Sequence, residues 1–577
     1  MSLPKPLFKS CKTSYIFAPL ILLCVAILLS AGGMRGKTST ADESHYLLYG
    51  WNIVTKGSYE RFHNSVMPFS ALNALALHLY AGDKVNLWTD GQGTVFREVK
   101  GITMDAAYFA ARLPTLLFTS LLGIFLFRWA LELYGFPSAL LSLFLFSLCP
   151  NIMAHSGLVS PDIPLTCFMF ISSYYFWKSL LNPSAGKAVL AGTSMGIAFA
   201  CKMTAVHMVF IFPLMLCYFF YARKGEFRAS WPASLKRLGA IFAISLIVVN
   251  SLYSFDRTFT PLNQYNFKTE RFQKIASSFL GRIPVPLPYP YPQGIDWLSR
   301  DNEVPYPSFL HGEHRAGGWW YYYLYAFAIK EPVPVLILLA IALSSLFKKR
   351  LDHWKLEGLI FIAPVYTVIF FSFFVGYHIG LRYVLPAFPF LFLFIGRIMA
   401  LEFMGQRKIR AALLFPLLCW HAAANIFIYP HYLSYFNELI GGPRNGYKYL
   451  IDSNLDWGQN RGLVEKYFEK AAPPAYIHPD KPVFGTIIVS TNSLQGWMHV
   501  STEKYRWLRE NFEPVDHIGY THLVYKITPG ELDRLGLGVE LDRKEEEDGK
   551  AAGSRQRIQE MQDRIEKLKK GRENRNP

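Results

Sequence analysis

Long apolar runs cover roughly residues 15–32, 106–127, 137–153, 161–177, 188–202, 204–221, 238–254, 328–347, 357–375, 383–401 and 411–428. Runs of this length predict membrane-spanning helices, about eleven of them, several short enough to need tilting or a thinned bilayer. Three polar stretches stand apart: residues 33–105, residues 255–327, and everything after Tyr429. The second contains "GRIPVPLPYPYPQGIDW", whose prolines oppose regular helix and whose aromatics suit an interface or a ligand lid. After Tyr429 the pattern changes: "VFGTIIVS" and "HLVYKIT" read as strands and "TEKYRWLREN" as a helix, which predicts a small α/β domain. From about 541 the chain is a charged tail in which Ile558, Met561, Ile565 and Leu568 keep heptad spacing for only two repeats, too few for a coiled coil. The expected fold is therefore mainly α and polytopic, divided into a membrane module (1–430), an α/β domain (431–540) and a tail (541–577).

Charge orients this arrangement. Lys5, Lys9 and Lys12 precede the first run; Arg223, Lys224, Arg228, Lys236 and Arg237 share one connection; Lys348, Lys349, Arg350 and Lys355 share another; Arg407, Lys408 and Arg410 share a third. Under alternating topology all fall on one side, which the positive-inside rule makes cytoplasmic. Much of the +17 net charge is accounted for by topology, so it does not argue for a nucleic-acid partner. With eleven crossings the N-terminus is cytoplasmic and the C-terminal domain extracytoplasmic, in a multi-pass protein of the inner (plasma) membrane. The seven cysteines lie in or beside the apolar runs, which excludes a disulfide framework for the outer parts, and no zinc-ligand spacing appears.

Polar chemistry gathers at the outer ends of these runs. "STADESHYLLYGW" (39–51) follows the first run and carries adjacent carboxylates, Asp42 and Glu43. Thr40 with Glu43 three residues later is also a helix capping box, so the pair has an ordinary reading as a helix start. Arg112 lies two turns into the second run, where Asp105 is an available partner; His155 precedes the fourth run and Asp162 opens it; Lys202 marks the fifth-to-sixth junction; Arg382 opens the tenth. Each alone could be a snorkelling cation, a helix-end acid or an interfacial histidine. Together, cations and an acidic pair at one membrane face suit an anionic, lipid-borne substrate.

The acidic pair, "AARLP", "AHSGLVSPD", "ACKMTA", "IKEPVP" and "GLRYVLPAFP" resemble the bacterial relatives of protein O-mannosyltransferases and of the lipid A aminoarabinose transferase. These are membrane glycosyltransferases of the GT-C fold that use polyprenyl-phosphate sugars. "YPHYLSYFNELIGGPRNGYKYLIDSNLDWGQ" (429–459) is similar to a signature of one bacterial branch, and the resemblance covers most of residues 35–530. It implies Asp42 as catalytic base, with Glu43 orienting the acceptor or completing the cap. It also implies Arg112, Lys202 and Arg382 as contacts to the donor phosphate, with His155, Asp162 and Asp456 as further site candidates. A hydroxyl of a protein, lipid or glycan would be the acceptor, membrane lipid the surroundings, and inversion the stereochemical outcome. Relatives often carry Lys or His before paired prolines in the first outer loop, where this chain reads "SVMPFS"; Met67 cannot serve there as a cation. Relatives differ in metal use, and no ligand set here decides for or against a divalent cation. The rival readings are a transporter or flippase for a lipid-linked sugar, which favours matched halves and helices broken at midplane, and a glycan-binding membrane protein.

Overall fold

The apolar runs are helices. In this computed structural model, residues 14–63, 65–89, 95–222, 227–303, 307–348, 354–401, 407–497 and 500–537 are described. The tail 541–577 and the inner-side cations Lys5, Lys9, Lys12, Arg223, Lys224, Lys349 and Arg350 lie outside them. The first compact unit, Met1–Arg461, runs α1 (Ser14–Met34), α2 (Glu43–Lys56), α3 (Ser70–Ala81), a hairpin β1 (Val85–Thr89) and β2 (Val95–Val99), α4 (Met104–Tyr134), α5 (Phe136–Ser147), α6 (Pro150–Ser156) and α7 (Asp162–Leu181). It continues with α8 (Ala185–Cys201), α9 (Met208–Ala222), α10 (Phe227–Leu252), α11 (Glu270–Ser277), α12 (Pro290–Glu303), a hairpin β3 (Pro307–Leu310) and β4 (Glu313–Ala316), and α13 (Tyr322–Lys330). The helices α14 (Val333–Lys348), α15 (Trp354–Phe373), α16 (Phe388–Gly396) and α17 (Arg407–Ile428) follow.

Among the described residues five helices are long and apolar enough to cross a membrane: Ile16–Met34, Met104–Tyr134, Met203–Ala222, Trp231–Leu252 and Leu381–Ala400. Two bent pairs, α5 with α6 at 61° and α13 with α14 at 118°, raise the count to seven if each is one span. Length and apolarity alone thus carry five to seven of the eleven expected crossings; Ala185–Cys201, Glu357–Phe373 and Ala412–Ile428 are apolar but shorter.

Two packing devices hold the helices together. Gly192 and Gly196 stand one turn apart on α8, and a Cβ on either would lie 2.8 Å from Ile241 O or 2.7 Å from Ser245 O of α10. Only glycine permits that approach, the small-residue contact by which helices associate where water is absent. Between α4, α7 and α16 the core is aromatic: Trp129 lies 5.0 Å from Phe170 and 5.6 Å from Trp177, and Phe170 lies 4.9 Å from Phe390. A buried Arg397–Glu357 ion pair, with Ser345 accepting from Arg397 Nε, ties α15 to the turn after α16.

Helices break where the polar side chains cluster. Residues 157–161 separate α6 from α7, extended Lys202 interrupts the chain between α8 and a 3-10 turn (Met203–His207), and a 3-10 segment (Leu381–Ala387) precedes α16. These breaks put Asp162 at the start of α7 and Lys202 at the C-cap of α8.

The second compact unit is Gly462–Pro577, and residues 431–461, expected with the α/β domain, count with the first unit. Its sheet has the order β5-β6-β8-β7, from β5 (Ala475–Ile477), β6 (Gly485–Ser490), β7 (Asp516–Ile518) and β8 (His522–Ile527). The strands β6 and β8 are the expected "GTIIVS" and "HLVYKI", paired antiparallel with Ile488 opposite Val524. Val464, on the short helix α18 (Arg461–Phe468), packs with Ile488, Ile518 and Val524 over one face.

Candidate active site

Asp42 is the N-cap of α2 but makes no side-chain cap bond. The capping box is half made: Glu43 Oε2 accepts from Thr40 N–H at 2.8 Å, while the Thr40 hydroxyl is buried without a partner. The Asp42 carboxylate is 27% exposed and accepts one bond, from Arg382 Nη1 at 3.2 Å. That partner is itself only 8% exposed. It stacks 4.1 Å over the Trp457 ring, lies 5.3 Å from the Tyr383 ring, and leaves its Nε without an acceptor.

A second acid–base pair also meets the Tyr383 ring. Lys202 Nζ donates to Asp162 Oδ1 at 2.7 Å and stands 4.8 Å over the Tyr383 ring. Asp162 is buried; Ser160 Oγ donates to its Oδ2 at 2.6 Å and His155 Nδ1 lies 3.9 Å away. The fold therefore gathers Asp42, His155, Asp162, Lys202 and Arg382 from four regions of the chain.

Glu43 and Arg112 belong to a different structure. Both are wholly buried, and the guanidinium meets the carboxylate through Nε at 2.8 Å and Nη2 at 2.6 Å. Glu43 Oε1 also accepts from Val159 N–H at 2.8 Å, while Arg112 donates to the carbonyls of Lys37 and Thr38 at 3.1 and 2.8 Å. Every donor nitrogen of Arg112 is engaged. The expected role of Arg112 as a phosphate contact does not fit this geometry, nor does Glu43 as a group that meets a substrate; the pair instead fixes the loop before Asp42.

The other side of that loop is held by the "SNLDWGQ" segment. Thr38 N–H donates to Gln459 O at 3.1 Å and Ala41 N–H to Trp457 O at 2.9 Å. Thr38 Oγ1 donates to Gly458 O at 2.9 Å, and Lys37 Nζ donates to Asn460 Oδ1 at 2.7 Å. Asp456 accepts from Gly458 N–H at 3.0 Å, a bond within the turn that carries Trp457. Asn454 accepts from Leu381 N–H at 2.9 Å and thereby seats the residue before Arg382. Its carbonyl, with those of Leu433 and Tyr435, accepts from buried Lys330.

Protonation is shifted at Lys37, His431 and His63, all outside the spans. Burial, and then the Arg112 charge, push Lys37 down to about 7; burial, and then Lys37, push His431 down to about 4. Lys37 lies 2.8 Å from His431 Nδ1. Burial, and then His45, push His63 down to about 4; the two rings stack at 4.4 Å beside Asp42. At neutral pH both histidines are uncharged and His63 adds no competing cation.

Sequence reasoning missed Lys37, Trp457, Tyr383 and Lys330. Lys330 was visible as one of two adjacent charges in the "IKEPVP" motif, but Lys37 looked like any basic residue after a span. The position of Met67 has a cation nearby after all: Arg61 Nη1 reaches Met67 Sδ at 3.8 Å. Among the described residues no three His, Cys, Asp or Glu side chains come together to hold a metal ion.

Residues 99–253 match the family model described as dolichyl-phosphate-mannose-protein mannosyltransferase; this stretch carries Arg112, His155, Asp162 and Lys202. No curated protein matches the chain. Solved structures that match the chain include ArnT from Cupriavidus metallidurans bound to undecaprenyl phosphate, at 14% identity over 73% of this chain and 72% of that one, TM-score 0.45. The S. cerevisiae protein O-mannosyltransferase Pmt1-Pmt2 complex bound to the sugar donor is 18% identical over 42% of this chain and 33% of that one, TM-score 0.34. The Archaeoglobus fulgidus oligosaccharyltransferase in the apo form is 13% identical over 79% and 58%, TM-score 0.44. The motifs read as resembling protein O-mannosyltransferases thus fall in part within a stretch that matches that family model.

Proposed function

We propose that the chain transfers a sugar from a polyprenyl phosphate to an acceptor hydroxyl at the extracytoplasmic face of the inner membrane. The observation that carries this reading is the pairing of a half-open carboxylate, Asp42, with a buried guanidinium that makes one hydrogen bond where it could make five. A buried, under-satisfied cation is costly, and a phosphate oxygen is the acceptor that best relieves it.

In the reaction the acceptor oxygen bonds to the anomeric carbon while the carbon–oxygen bond to phosphate breaks. Asp42 takes the hydroxyl proton, and the lipid phosphate leaves with the electron pair, going from one negative charge towards two. Arg382 and Lys202 stabilise that growing charge. Asp162, with Ser160 and His155 behind it, holds Lys202 in place. Glu43 and Arg112 have a positioning role. Single displacement inverts the anomeric centre.

About eleven crossings and an outer position for the second unit belong to the same proposal, with that unit shaping the acceptor side. A hexose or pentose on the donor, and a protein, lipid or glycan acceptor, all fit this chemistry. The test is to give the purified full-length protein radiolabelled polyprenyl-phosphate sugars. Label appearing on an acceptor supports the reading; label carried intact across vesicles, or held without turnover, sinks it in favour of a transporter or a binder.

A further inference from the structure

Trp457 touches one member of the cluster and the residue before another. Its ring, 5% exposed, lies 4.1 Å from Arg382 Cζ, and its carbonyl accepts from the N–H of Ala41, the residue before Asp42, at 2.9 Å. Its own orientation is set within its segment: Trp457 N–H donates to Gln459 Oε1 at 2.7 Å, and Gln459 Nε2 donates to Leu455 O at 2.8 Å. With a single hydrogen bond, the plane of the Arg382 guanidinium is not fixed by polar contacts. What remains to fix it is the ring beneath, an arrangement favoured electrostatically and most strongly for tryptophan.

We propose that Trp457 is a positioning residue of the transfer site: its face aims the free donors of Arg382 at the lipid phosphate, and its carbonyl keeps Asp42 in register with them. The inference rests on the reading of Arg382 as a phosphate contact. It differs from simple packing, although Trp457 does pack with Leu158 and Leu433. Packing predicts losses that follow side-chain volume whatever stands at 382. Positioning predicts losses that follow the ring and need the guanidinium.

The experiment measures the affinity of the purified full-length protein for undecaprenyl phosphate, with thermal stability as the folding control. Trp457→Phe should weaken binding by about two- to fivefold and Trp457→Met by about tenfold, in step with the loss of the π face. In an Arg382→Gln background both losses should vanish. Arg382→Gln binding as tightly as the parent would remove the phosphate reading itself. Arg382→Gln weakened, with Trp457→Met either harmless or equally damaging in both backgrounds, would overturn the positioning role and leave that reading standing. If Trp457→Met does not fold, the same two comparisons are made with Trp457→Phe and decide the matter.

Discussion

Asp42 and Arg112 stand at opposite extremes of hydrogen bonding, and the difference predicts what their loss would do. Asp42 accepts one bond and caps nothing, so Asp42→Asn should leave thermal stability near the parent. Removing a general base costs typically ~10²–10⁴-fold in rate, and transfer should fall by at least that much; activity within a few-fold of the parent would return Asp42 to a helix start. Arg112 is fully engaged with Glu43 and two carbonyls. Breaking a buried pair from one side costs roughly 3–5 kcal/mol, so Arg112→Ala should show as a stability loss in denaturant or thermal unfolding. Affinity for a polyprenyl phosphate, per folded molecule, should fall less in Arg112→Ala than in Arg382→Ala; the reverse ranking would return the phosphate to Arg112. In the sequence these two arginines look alike, each a cation at the outer end of an apolar run. What separates them is a partner 69 residues away at the start of α2, whereas the only acid in helical reach of Arg112 was Asp105. Charge at one membrane face was legible; which charges cancel was not.

The loop 37–41 works as a strap with two edges, one on α4 through Arg112 and one on residues 457–460. Its buried anchor is Lys37, whose ammonium form is disfavoured on folding and is held down to about 7. The unfolded chain, with lysine near its ordinary ~10.4, binds more protons between those values. The Lys37 contribution is therefore complete above about 10 and is lost as pH falls towards 7. Compared with the parent, Lys37→Met should show a flatter rise of stability with pH over that window, measured by denaturant unfolding at matched ionic strength. Identical slopes in parent and variant would show that Lys37 does not titrate between the two states. The strap was not legible from periodicity, because it has no repeating pattern: its bonds run to backbone carbonyls of a segment that reads as turns. Helix breaks were legible only in part, since Lys202 was placed at a junction, whereas the 118° bend between α13 and α14 falls at Glu331 and Pro332, inside the run read as 328–347.

Over the whole chain, residues 429–461 belong with the unit that contains α1–α17, not with the sheet that follows. Removing 541–577 should leave transfer within about twofold, since nothing proposed for the site involves that stretch. Ending the chain near residue 470 should keep undecaprenyl phosphate binding while abolishing transfer to the natural acceptor; transfer at full rate would refute an acceptor role for the second unit. Helices and their order were readable because a bilayer demands long apolar runs. The division at Arg461 was not, because the seam falls inside polar, turn-rich sequence. The strap also has a consequence for biosynthesis. Thr38 and Lys37 meet partners 420 and 423 residues further along the chain, and chains fold from the N-terminus as they are made. Asp42 thus leaves the ribosome among the first residues, yet the loop before it gains its second edge only once residues 457–460 have been made. A product that ends between α4 and Trp457 would keep the partners of the Glu43–Arg112 pair, yet lack the segment that holds the other edge of the loop before Asp42.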